Sequence, residues 1–276
     1  MLFKEIFGQQ KSKQLLTQMV QEERVPHAQL FLGSRGSGNL ALALAFAQYV
    51  SCTNKQLEDS CGICLSCVKH LKFAHPDLHF VFPVAATQSV KTKPVSKNFL
   101  TEWRSILKEN AYFSIFDWLK YIGVENKQGI ISVEESNHIV KDLSLKPYES
   151  DTKIMLIWMP EKMNIQAANK SLKIIEEPPH KTLFLLVAES DENILATVLS
   201  RTQLFKVPSY SDAALTRYLV SRDVKEEKAQ MISALVEGDI NEALKLVEYS
   251  QDVEENSLHF VQWMRLCFSA LQVKDI

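Results

Sequence analysis

Apolar residues fall into two kinds of run along the chain. Short, nearly continuous runs read as strands: AQLFLG, HPDLHFVFPV, KIMLIWM (153–159) and TLFLLVA (182–188). The last two are apolar throughout, as strands buried on both faces tend to be. In HPDLHFVFPV, residues Leu78, Phe80 and Phe82 share one face. Between these runs, apolar residues recur at helical spacing. QKSKQLLTQMVQEER (10–24) carries Leu15, Leu16, Met19 and Val20, SVEESNHIVKDLS opens on a capping box of Ser132 and Glu135, and NIQAANKSLKIIEEPP is stopped by Pro178 and Pro179. Strands alternating with helices predict an α/β fold with a mostly parallel sheet and right-handed crossovers.

Beyond Pro208 the pattern becomes helical throughout: SDAALTRYLVSR, KEEKAQMISALVEG, DINEALKLVEYS and SLHFVQWMRLCFSAL. Asp223 with Glu226, and Asp239 with Glu242, stand where caps and first-turn acids belong. The predicted organisation is an α/β domain over 1–208, three helices over 209–252, and the start of something else over 253–276. Within the first domain, 85–101 is polar and irregular and reads as a surface loop. It opens an insertion over about 85–130 whose aromatics (Trp103, Phe113, Phe116, Trp118, Tyr121) predict short packed helices.

Composition narrows the function classes only slightly. The 276 residues are 46% hydrophobic and 23% charged with a formal net charge of −2, so contact with nucleic acid would need a local patch or a partner. No apolar run reaches the roughly 18–20 residues of a membrane span, and MLFKEIFGQQ lacks a signal-peptide pattern; no membrane association and a cytoplasmic location are expected.

Cys52, Cys61, Cys64 and Cys67 follow the spacing C-x8-C-x2-C-x2-C. Thiolates two residues apart can reach one ion, and four of them close a tetrahedral Zn²⁺ shell with no open position, which points to structural rather than catalytic zinc. His70 and His75 lie nearby as minor ligand candidates.

The stretch FLGSRGSGNLALALAFA has the frame of a phosphate-binding loop in Gly33, Gly36 and Gly38, followed by a helix. A P-loop places a lysine and then a hydroxyl after its last glycine; here Asn39 and Leu40 stand there. The amides could still hold an anion weakly, but ATP hydrolysis is not expected. A second departure agrees: where P-loop ATPases carry acids at the end of a strand, KIMLI runs into Trp158, Met159 and Pro160, and the first acid is Glu161. Arg201, between a short helix and a strand in ILATVLSRTQLFKVP, reads either as a surface ion-pair residue or as an arginine given to phosphate on a neighbouring subunit.

FKEIFGQQ, VPHAQLFLG with GSRGSGN, the cysteine run ending in CLSC, HPDLHFVFP, IQAANKSLKIIEEPP and ILATVLSRTQ follow in order across about residues 3–208. Together they resemble the delta-prime subunits of bacterial DNA polymerase III clamp loaders, within the AAA+ superfamily. The resemblance implies an AAA+ P-loop-type α/β domain with an inserted zinc module at about 52–67, a three-helix lid, and a helical collar. Only the helix 257–271 could belong to that collar, so it is expected to be largely absent. The family's Ser-Arg-Cys motif maps to Ser200, Arg201 and Thr202, which implies that Arg201 reaches ATP on an adjacent motor subunit. The family's zinc cysteines map to Cys52, Cys61, Cys64 and Cys67. The departures at Asn39, Leu40, Trp158 and Met159 fit a non-hydrolysing subunit rather than a gamma/tau motor. Implied partners are gamma/tau ATPase subunits, the delta subunit and, through the complex, the sliding clamp and primer-template DNA. Two alternatives are a divergent P-loop ATPase that recruits Lys11 or Lys13, and a zinc-ribbon nucleic-acid-binding module using Lys69, His70 and Lys72.

Overall fold

A computed structural model describes residues 1–249 and Trp263. The chain divides into two compact units, Met1–Ser209 and a second beginning at Tyr210. In the first, the elements run α1 (Gln10–Gln21), β1 (Ala28–Leu32), α2 (Asn39–Ser51), α3 (Leu65–Leu71), β2 (Leu78–Val81), α4 (Leu100–Glu109), α5 (Ile115–Tyr121), α6 (Val133–Ser144), β3 (Lys153–Trp158), α7 (Ile165–Glu176), β4 (Thr182–Ala188), α8 (Ala196–Leu199) and β5 (Gln203–Lys206). The second contains α9 (Asp212–Val220), α10 (Glu226–Leu235) and a helical segment over 240–249. Residues 253–276, the expected start of a collar, lie outside the described residues apart from Trp263. Among the described residues, no helix is long and apolar enough to cross a membrane.

The five strands form one sheet in the order β2-β3-β4-β1-β5, every pair parallel. Side chains of a strand alternate between faces, and here both faces are covered. Phe31, Leu156, Leu185 and Val187 pack on one side with α2, while Leu30, Met155, Ile157 and Leu186 pack on the other with Ile139 of α6 and Ile175 of α7. This double burial is why β3 and β4 read as unbroken apolar runs. The helix α2 is apolar on every side, NLALALAFAQYVS, and it is buried accordingly. In α1 the apolar spacing overstates the buried face: Leu16 is buried but Leu15 lies in water.

The insertion is part of the core rather than a peripheral addition. Phe82, beyond the end of β2, stacks on Trp103 of α4 with ring centroids 4.1 Å apart, and Trp103 meets Trp118 of α5 edge to face at 5.2 Å. Trp158, the last residue of β3, closes the cluster against Trp103 at 5.2 Å and Phe113 at 5.1 Å. Phe116 and Tyr121 stay exposed on the far side of α5. The polar opening of the insertion is fastened to α6 by Lys93–Glu134 and Lys97–Asp142 ion pairs, each 2.7 Å, and by a 2.6 Å bond from Ser96 N–H to Glu135.

That last bond replaces the expected capping box. Ser132 is the N-cap of α6, but its side chain makes no capping bond: the Glu135 amide donates to the Ser132 carbonyl instead, and the Glu135 carboxylate is turned inward to Ser96. Burial pushes the Glu135 carboxyl up to about 7. The expected caps of the second unit divide. Asp239 accepts from the Asn241 and Glu242 amides, whereas Asp223 adopts a left-handed turn (φ +64°) and Lys225 occupies the cap position of α10.

The aromatic cluster carries a stability consequence. Trp158→Ala should cost about 3–5 kcal/mol, as for other large-to-small changes of fully buried aromatics, measured by urea unfolding of the chain. Trp158→Asp should cost more, since it also buries an unpaired carboxylate.

Candidate functional site

The glycine loop joins the C-terminal end of β1 to α2. At Gly33 a Cβ would lie 2.4 Å from Ser37 Oγ and 2.8 Å from the Val207 carbonyl oxygen, so no side chain fits. Gly36 and Gly38 hold φ of +71° and +88°, a left-handed conformation that L side chains rarely adopt. The loop is clamped from outside. Gln9 Nε2 donates to the carbonyls of Ser37 (2.9 Å) and Pro208 (2.7 Å), and the Ser34 and Ser209 hydroxyls meet at 2.7 Å.

Asn39 turns inward from the position where a P-loop lysine would reach out. Its Nδ2 donates to the carbonyls of Gly33 (3.1 Å) and Ala188 (2.9 Å), and its Oδ1 accepts from Leu40 N–H at 2.8 Å. One side chain therefore ties the loop to the ends of both β1 and β4, and one amide of the helix start is consumed internally. Leu40, in place of the hydroxyl, is buried in the core. At the end of β3, Trp158 is committed to the aromatic cluster, and Met159 is buried in a left-handed turn (φ +57°). Glu161 accepts from Glu189 N–H at 3.0 Å, and burial raises its carboxyl. The side chains at these positions are engaged in packing and backbone satisfaction.

Arg201 occupies the opposite rim. Parallel β1 and β5 pair Gln29 with Gln203 and Leu32 with Lys206, so the glycine loop follows the C-terminal ends of the strands while Arg201 precedes the N-terminal end of β5. A four-residue strand, roughly 13 Å, separates the two rims, and Arg201 does not face its own glycine loop. The guanidinium is held locally. Nη1 donates to the Thr197 carbonyl at 2.9 Å, and Nε lies 3.0 Å from Glu176 Oε2 in an ion pair whose N–H is not directed at that oxygen. The ion-pair reading of Arg201 is thus realised within the chain.

The four cysteines converge. Cys52 ends α2, Cys64 caps α3, and Cys67 lies in the first turn of α3. Their sulfurs all lie within 4.8 Å of one another, with Cys52–Cys61 at 3.6 Å and Cys61–Cys67 at 3.9 Å. A tetrahedral Zn–S shell of about 2.3 Å bonds has S···S edges of about 3.8 Å, so the set could hold a zinc ion. Backbone amides point at the sulfurs: Cys61 N–H at Cys52 Sγ (3.4 Å), Cys64 N–H at Cys61 Sγ (3.3 Å) and Cys67 N–H at Cys64 Sγ (3.4 Å). Such donors orient and stabilise metal-bound thiolates. Burial raises the Cys52 and Cys67 thiols. At Cys64 burial is outweighed by hydrogen bonds from Thr53 and the Cys67 amide, which bring it to about 6. The Asp59 carboxylate ties the module to the N-terminus through the amides of Phe3 (3.1 Å) and Lys4 (3.0 Å).

Neither minor histidine candidate joins this group. His70 and His75 stack on each other in the interior, 4.5 Å between centroids, and both are nearly inaccessible. Burial, then the neighbouring His75, lowers His70 to about 3, so it supplies no positive charge to a basic patch. Lys69 is paired with Glu149, which leaves Lys72 exposed as the remainder of that patch. Of the two alternative P-loop lysines, Lys13 is buried with its ammonium on the Ile6 carbonyl (2.5 Å), while Lys11 is exposed.

Residues 8–211 match the protein family described as "DNA polymerase III, delta subunit". The chain is 26% identical over 246 residues to "DNA polymerase III subunit delta'" of Bacillus subtilis, covering 89% of this chain and 60% of that protein. Against the subunit delta' of Yersinia pestis it is 26% identical over 215 residues, covering 76% and 51%. Against the subunit tau of B. subtilis it is 23% identical over 252 residues, covering 89% and 37%. The chain thus spans 60% or less of the length of these relatives.

The stacked histidines predict a pH dependence. A histidine whose folded pKa is depressed contributes stability that is present above its unfolded pKa of about 6.5 and lost as pH falls below it. Unfolding free energy should fall between pH 6.5 and 5.5, with His70 contributing up to about 1.4 kcal/mol per unit. A His70→Phe chain should show a correspondingly shallower slope in urea unfolding, and parallel slopes would contradict this.

Proposed function

The chain belongs to the DNA polymerase III delta-subunit family, and on that premise we propose that it acts as a delta-prime-type, non-hydrolysing subunit of a clamp loader. The observation that carries this reading is the division of the sheet between its two rims. On the C-terminal rim the positions that would carry phosphate and Mg²⁺ chemistry are filled by Asn39, Leu40 and Trp158, all engaged in packing or backbone bonds. On the N-terminal rim Arg201 presents a guanidinium whose Nη2 makes no hydrogen bond among the described residues.

In this reading the chain sits beside gamma/tau motor subunits and the delta subunit, in an AAA+ ring that places a sliding clamp on primer-template DNA. ATP is bound and hydrolysed by the neighbour. Arg201 contributes in trans: its planar, permanently charged fork offsets charge that spreads over the phosphoryl oxygens during transfer. The glycine loop is a retained frame whose tight turn and clamped ends shape the domain. The lid over 209–252 is part of the same proposal.

Cys52, Cys61, Cys64 and Cys67 hold a structural zinc whose role is to order the segment between α2 and α3, a segment with little regular structure of its own. Structural zinc of this kind supplies ordering free energy, on the order of 10 kcal/mol or more in small modules.

Two outcomes test these assignments. Elemental analysis should find one zinc per chain, and Cys64→Ser should lose it, with rapid proteolysis confined to the region of 52–67 while the sheet survives; a zinc-free chain equally resistant to protease would refute the structural role. Arg201→Ala, in a reconstituted complex whose other interface arginines are already alanine, should reduce ATP turnover on the order of 10³-fold with unchanged thermal unfolding of the isolated chain. Unchanged turnover would refute the trans role.

A further inference from the structure

The partner of Arg201 is placed where helix stability does not call for it. Glu176 is the last residue of α7, and the chain turns away at Glu177, Pro178 and Pro179. The C-terminal end of a helix carries partial negative charge, so a carboxylate there is disfavoured and a cation is preferred. The Glu176 side chain is 54% exposed, and its one ion pair among the described residues is the 3.0 Å approach to Arg201 Nε. An ion pair this open to solvent adds little to fold stability. Its effect is on the guanidinium: the Glu176 carboxylate stands 3.0 Å from Nε and holds that side of the fork by charge alone, while the Thr197 carbonyl at 2.9 Å and Ser200 Oγ at 3.4 Å accept from Nη1.

We propose that Glu176 is a positioning residue for Arg201. With Nη1 hydrogen-bonded at α8 and the Glu176 carboxylate of α7 drawing the guanidinium by charge from the Nε side, the range of orientations of the fork is narrowed and Nη2 is left to meet a phosphate oxygen. A free arginine side chain would have to lose its rotamer freedom at each encounter; a preorganised one has already lost it. The carboxylate also leaves the arginine's charge intact for phosphate, because the pair is solvated and weak enough to be shared. The placement of Glu176 on α7 makes the arrangement depend on where that helix ends, which Pro178 and Pro179 enforce.

This inference rests on Arg201 acting in trans, and the test separates the two. Glu176→Ala, Arg201→Ala, the double variant and Glu176→Asp are compared in the reconstituted complex whose other interface arginines are alanine, alongside thermal unfolding of each isolated chain. Glu176→Ala should lower kcat by 5- to 50-fold with KM for ATP changed less than 2-fold and with the melting temperature unchanged. The double variant should be no slower than Arg201→Ala alone, as expected for residues acting as one unit, and Glu176→Asp should recover part of the loss. An unchanged or increased kcat in Glu176→Ala would overturn the positioning role, and so would a further loss in the double variant or a loss that follows a lowered melting temperature. If Arg201→Ala itself left turnover unchanged, the trans reading would fall, and this inference with it.

Discussion

Burial of the sheet on both faces is the constraint from which the other features follow. With α2 over one face and α6 and α7 over the other, no polar group can stand in the middle of a strand without losing its hydration. Polar chemistry is therefore confined to the two ends of the strands. Parallel strands make those ends different in kind, one rim collecting every strand-to-helix turn and the other every helix-to-strand turn. The glycine loop falls on the first and Arg201 on the second by topology alone. A single chain of this fold cannot bring the two together, whereas copies or relatives packed rim to rim can.

On the C-terminal rim the side chains around the glycine loop serve the structure. Asn39 donates to the Gly33 carbonyl beyond the end of β1 and adds a second donor to the Ala188 carbonyl at the end of β4, which also accepts from Gly33 N–H at 3.2 Å. Buried carbonyls need partners, so the amide does there what a lysine reaching outward would not. Trp158 makes a comparable exchange, filling space between β3 and the insertion. Both side chains favour the fold of the chain in isolation, and neither is directed outward from the loop.

Much of this was legible in the residues, and unevenly so. β3 and β4 were plain because double burial writes itself as an uninterrupted apolar run, and the cysteine spacing identified a group that the fold indeed gathers within ligand distance. The glycine frame was equally plain, since left-handed turns and the close approach of Val207 leave few alternatives to glycine. What periodicity could not reveal were partners distant in the chain. Glu135 has the spacing of a capping box with Ser132, yet its carboxylate serves Ser96, 39 residues away. His70 looks like a basic neighbour of the cysteines until its burial against His75 is known. Aromatic residues of the insertion announced packing, but nothing local says that Trp158 is their counterpart. In each case a local pattern specified a face or a turn, and a contact between segments decided the chemistry.

The aromatic cluster has an optical consequence. Trp103, Trp118 and Trp158 are three of the chain's four tryptophans, and the rings of Trp118 and Trp158 each lie 5.2 Å from that of Trp103. All three indoles are sealed from water. The fourth, Trp263, is exposed. Intrinsic emission from this protein is therefore divided by colour into a blue component, which senses how the insertion sits on the sheet, and a red component, which senses a place remote from it in sequence. The molecule carries its own two-channel reporter without a label.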